Sequence, residues 1–173
     1  EHRRSAFQWG TAVQFIRLVQ KSPENEIYRA KLLEFFNAAS PENDLKWPVW
    51  NGDWGQWFPH EQSIAALRWL DEHRIATRGH VLVWPGWKNL PRSLRDLEKD
   101  PPKLREAVRR HVHDMVSEMK GKLVHWDVVN EPFDNHDLLD RFGNEVMLEW
   151  FKEARATDPA AKLFINDYAI LSG

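Results

Sequence analysis

Apolar residues recur along the chain with two periods, and the two take turns. Short apolar runs at 7–13 (FQWGTAV), 75–84 (IATRGHVLVW), 122–129 (KLVHWDVV) and 161–166 (AKLFIN) read as strands, with a shorter one at 36–39 (FNAA). Between them, apolar positions fall three or four apart. In 101–120, Leu104, Val108, Val112, Met115 and Met119 form one stripe. Pro101 and Pro102 suit that helix's first turn, and Gly121 suits the residue just past its end. Residues 60–73 carry Ile64, Leu67 and Leu70 in the same spacing, and residues 141–157 carry Val146, Trp150 and Ala154. A shorter helix is expected at 24–36.

Strand and helix in alternation predict an α/β chain with parallel strands and right-handed crossovers. The strands are apolar almost throughout, as they are when helices cover both faces. A doubly wound sheet and a β/α barrel both satisfy this pattern. No G-x-G-x-x-G follows the first strand, which counts against the dinucleotide-binding sheet. The expected fold is a parallel β/α (TIM) barrel, with about the first five of its eight β/α units in residues 1–173 as one partial domain.

Composition narrows the partners. Of 173 residues, 42% are hydrophobic and 29% charged, an ordinary globular balance, and a formal net charge of -2 gives no reason to expect nucleic acid or an anionic membrane. No apolar run approaches the roughly 20 residues of a membrane span. The absence of cysteine excludes disulfides and thiolate metal sites. The chain starts at Glu1 without a charged-then-apolar leader, as expected of a mature or excised segment. Ten tryptophans are unusual, because each broad face wants a packing partner and each N–H an acceptor.

Polar groups finish four successive strands. Glu42, Asn43 and Lys46 follow the second. His80 lies in the third, which ends at Trp84. Asn130 and Glu131 end the fourth, and Asn166, Asp167 and Tyr168 the fifth. Singly, each has a plainer use. Glu131 before Pro132 can cap the next helix, Asp167 and Glu42 can form turns, and His80 can be a satisfied core histidine. In a β/α barrel, however, all four strand ends converge on one face, where active sites are built. The loop 46–60 adds Trp47, Trp50, Trp54 and Trp57 beside amides and carboxylates, which suits stacking on a sugar ring; some of the four can instead pack the loop down.

Other chemistries have less support. His111 and His113 are two apart on a predicted helix and point in different directions, so they cannot share a metal as an i, i+4 pair would. H-E-x-x-H, P-loop and G-x-S-x-G motifs are absent. Lys103, Arg105, Arg109 and Arg110 read as a solvated helix face. No metal or organic cofactor is implied.

Four ordered segments, "SPENDLKW" at 40–47, "RGHVLVW" at 78–84, "WDVVNEP" at 126–132 and "FINDY" at 164–168, resemble glycoside hydrolase family 10, the endo-β-1,4-xylanases. The resemblance starts at "WGTAV", 9–13, and runs through essentially the whole chain. It implies a retaining hydrolase of xylan or a related β-1,4-glycan, and hence a secreted protein. By resemblance Glu131 is the acid/base, and Asn130 holds the sugar 2-hydroxyl. Glu42, Asn43 and Lys46 bind a more distant sugar, and His80 and Trp84 wall the site. Beside these matched positions, Trp87 and Tyr168 are expected as further substrate-binding residues. A general acid must be protonated at working pH, which burial near a second carboxylate favours.

Two departures stand out. The family pattern follows the third-strand tryptophan with His and, two residues on, Gln; here the chain reads Trp84–Pro85–Gly86–Trp87. A retaining mechanism also needs a nucleophilic carboxylate roughly 5–5.5 Å from the acid. In this family it lies on a later strand, and no residue here matches it; Asp127 is a poor substitute because of its direction within its strand. The expectation is therefore an N-terminal piece of the catalytic domain, inactive as a monomer and closed by a missing C-terminal half or by self-association. A non-catalytic glycan-binding module is the alternative.

Overall fold

The computed structural model describes residues 7–168. Five strands, β1 (Gly10–Val13), β2 (Ala38–Pro41), β3 (Ala76–Val83), β4 (His125–Asn130) and β5 (Lys162–Asn166), form one sheet in chain order, each parallel to the next. Each expected strand is present, and β1, β3, β4 and β5 are shorter than their apolar runs. The weakest, expected at 36–39, lies two residues later at the same length; just before it, Asn37 holds Trp9 through its side chain and Ala76 through its carbonyl.

Helices fill the crossovers: α1 (Phe15–Val19), α2 (Pro23–Phe35), α3 (Trp47–Trp50), α4 (His60–Glu72), α5 (Pro101–Met119), α6 (Asp137–Phe142) and α7 (Val146–Thr157). Sequence sets their starts and stops. Ser22 accepts the Asn25 N–H ahead of Pro23, and Asp100 accepts that of Lys103 ahead of Pro101. The stripe Leu104, Val108, Val112, Met115 and Met119 is wholly buried. The helix expected at 141–157 is two helices, because Gly143 takes φ 78° and ends the first at Phe142. The short α1 and α3 lack a periodicity long enough to read from sequence.

The core lies between sheet and helices around Trp126 and Trp150. A β-carbon on Gly79 would overlap the Trp126 indole, so β3 and β4 approach this closely only through glycine. Burial on both faces holds for β3 and β4 but not for the edges. On β5, Phe164 and Ile165 are 38% and 53% exposed, and on β1 Gly10 and Ala12 are exposed. The basic face of α5 is exposed as expected yet not merely solvated: Arg105 pairs with Glu149 of α7, and Arg109 with Glu106 and Glu153.

Candidate active site at the strand ends

Parallel order brings the C-terminal ends of β1–β5 to one side, and that side gathers the polar residues. Glu131 directly follows β4 and is half-buried with φ 48°, the left-handed region that non-glycine residues seldom adopt. Two backbone bonds hold it there: its N–H donates to the Asn166 carbonyl at 2.7 Å, and its carbonyl accepts from the Asn135 N–H at 3.0 Å. Helix α6 begins only at Asp137, so Glu131 does not cap it. The adjacent Asn130 is buried, and its Oδ1 accepts from Asn166 Nδ2 at 2.7 Å.

Lys46 links β2 to β3 and β4. Its ammonium donates to Asn43 Oδ1 at 2.8 Å and lies 5.1 Å from the centre of the Trp84 ring. Burial holds it below the usual lysine range, while Glu42 and Glu131 both pull the other way. Glu42 is exposed and accepts from Gln14 Nε2 at 3.1 Å. The Trp84 indole N–H is buried with no acceptor among the described residues. On the inner face, Asp127 is 2% exposed and accepts from His80 Nδ1 at 2.9 Å and from Arg78.

Tyr168, after β5, is exposed and donates its hydroxyl to Asp134, whose charge pushes the phenol above its ordinary range. Trp87 is engaged elsewhere: the Arg95 guanidinium sits 4.4 Å from its ring centre, and its backbone N–H donates to Asp137. Among the loop tryptophans, Trp47 stacks on buried His111 and Trp50 packs edge-on against His60. Trp54 and Trp57 remain exposed. Trp57 and Phe58 line a depression of about 340 Å³ with Gln14, Glu42 and Asn43.

A depression of about 390 Å³ lies at the opposite, starting ends of the strands, between Gly10, Ala38, Arg78, His125 and Phe164. It lacks the carboxylate, amide and lysine cluster, and in parallel α/β folds chemistry sits at the carboxyl ends. His111 and His113 point apart, the first to the Leu82 carbonyl and the second to Glu153. No three His, Asp or Glu side chains converge on a metal position among the described residues. None of the described helices is long and apolar enough to cross a membrane.

Comparison with known proteins is decisive. The model of glycosyl hydrolase family 10 matches residues 1–173. The chain belongs to that family. It is 29% identical over 170 residues to endo-1,4-beta-xylanase 1 of Arabidopsis thaliana, covering 98% of this chain and 17% of that protein. It is 31% identical over 178 residues to endo-1,4-beta-xylanase 3 of Hypocrea jecorina, covering 96% of this chain and 47% of that protein. A solved family 10 endoxylanase from a sugarcane soil metagenome superposes with a TM-score of 0.80 at 27% identity, over 93% of this chain and 48% of its own. The sheet is thus part of a parallel β/α barrel, and the family 10 chain spans half or less of the length of these relatives.

Sequence reasoning gave several neighbours of these residues no part in the site. Asp127, weighed only as a nucleophile, anchors His80; Gln14 reaches Glu42, Asn135 approaches Glu131, and Asn89 donates to Asn135. Only Asn135 left a signal, its position one helical turn after Glu131.

Proposed function

We propose that this chain is the acid/base-bearing part of a retaining endo-β-1,4-glycanase that hydrolyses xylan, with residues 1–173 forming part of one catalytic domain. The carrying observation is the convergence of Glu131, Asn130, Lys46, Asn43 and Glu42 at neighbouring strand ends. Glu131 protonates the leaving glycosidic oxygen while a carboxylate from a later strand attacks the anomeric carbon; Glu131 then takes the proton of the water that releases the sugar. Asn130, with Oδ1 held by Asn166, offers its amide N–H to the sugar 2-hydroxyl. Lys46, Asn43 and Glu42 hydrogen-bond the next sugar, Trp84, His80 and Tyr168 flank the chain, and Trp87 borders the site through its loop. The exposed edges of β1 and β5 suit pairing with the remaining barrel strands, which bring the nucleophile. Such a polymeric substrate suits a secreted enzyme.

The test is Glu131→Gln in the protein carrying this chain together with its nucleophile. Hydrolysis of xylan, whose leaving group needs protonation, falls by a factor of about 100 to 10,000. An aryl xyloside with a good leaving group loses far less in its first step. Wild-type hydrolysis of xylan by the variant would overturn the assignment.

A further inference from the structure

The loop that departs from the family pattern is fastened to the turn after Glu131 and to the first residues of α6. Pro85 accepts the Leu138 N–H at 3.0 Å, and the Trp87 N–H donates to Asp137 at 2.7 Å. Asn89 Nδ2 donates to Asn135 Oδ1 at 2.8 Å. At Gly86 a β-carbon would stand 3.0 Å from Asn135 Oδ1 and 3.1 Å from its Cβ, so the loop lies directly against Asn135.

Asn135 is only 4% exposed, and its amide faces Glu131. Its Nδ2 lies 3.3 Å from the Glu131 carbonyl and 3.3 Å from Glu131 Oε2. A backbone carbonyl only accepts, so this end of the amide must be the NH2 group, and Oδ1 is then free to accept from Asn89. Glu131 Oε2 therefore accepts an N–H from a side chain held at both ends.

We propose that Asn135 is a positioning residue for the acid/base: it occupies Oε2, leaving Oε1 to carry the transferred proton, and the Pro85–Asn89 loop buttresses it. This rests on the acid/base reading of Glu131. Asn135 thus holds the free oxygen in one direction. The Pro85–Gly86–Trp87 departure acquires a role here, as a brace on the turn rather than a hydrogen-bonding wall.

The experiment is the split between kcat and KM, on xylan and on an aryl xyloside with a good leaving group, for Asn135→Ala in the protein carrying this chain and its nucleophile. The kcat on xylan, whose leaving group needs protonation, should fall about tenfold, as about 1.4 kcal/mol of lost alignment would give, with KM little changed. The first step on the aryl xyloside should lose far less. An equal loss on both substrates, or no change at all, overturns the proposal. If Asn135→Ala does not fold, Asn89→Ala releases the amide and should give the same selective loss in smaller measure; an equal loss or none there overturns it equally. The Glu131→Gln control separates the two readings. If that variant hydrolyses xylan normally, the acid/base assignment itself has failed; if it is inactive and the Asn135 variant loses equally on both substrates or not at all, only the positioning role has.

Discussion

His80 Nδ1 lies 2.9 Å from Oδ2 of Asp127, while the other oxygen of the same carboxylate takes the guanidinium of Arg78. Asp127 thus ties two side chains of β3 to β4 from a position that is only 2% exposed. Removing one partner of a buried pair leaves the others uncompensated. Asp127→Ala should cost about 2–4 kcal/mol, less than a fully buried pair would because Arg78 keeps partial access to water. Urea unfolding measures this, and a loss below about 0.5 kcal/mol would make the carboxylate a bystander.

His111 should make stability fall in acid. It stacks on Trp47 with ring centres 3.9 Å apart, and its Nε2–H donates to the Leu82 carbonyl at 3.0 Å. Burial lowers its pKa to about 3 from an ordinary 6.5. The folded imidazole therefore stays neutral while the unfolded one protonates, so the unfolded state binds more protons below about pH 6.5. Stability drops as pH falls from there toward 3, with a slope from this group approaching about 1.4 kcal/mol per pH unit. In His111→Gln the dependence between pH 6 and 4.5 should flatten; unchanged curves would show that other groups govern it.

Gly79→Ala should destabilise by about 1–3 kcal/mol or more, because its methyl would enter the space of the Trp126 indole. A thermal melt checks this. The double variant Gly79→Ala, Trp126→Leu should lose less than the two single costs combined, since both changes act on the same contact.

Tyr168 should ionise above the ordinary tyrosine range, because Asp134 accepts its hydroxyl proton and opposes a phenolate. The chain has only two tyrosines, so an ultraviolet titration resolves them. Asp134→Asn should bring the Tyr168 transition down. If neither moves, the bridge between the β4 and β5 ends does not persist in solution.

The alternation of periods was enough for the parallel strands and the long helices, because each depends on neighbours within one or two turns. The polar residues that gather at the strand ends were legible where they interrupt an apolar run, as with Asn130 and Glu131. The split at Gly143 was harder, since a glycine inside an apolar stripe can either continue or end a helix.

By itself, then, the sequence determined the β/α order, the buried stripe of α5 and the set of carboxylate, amide and lysine groups at the strand ends, all readable from local spacing. Tertiary structure alone decided the partners of those groups. Arg78 meets Asp127 across 49 positions, and Asn89 meets Asn135 across 46. Such contacts depend on how β3 and β4 are registered and on where Gly79 and Gly86 let them approach, which is a property of packed strands rather than of either segment alone.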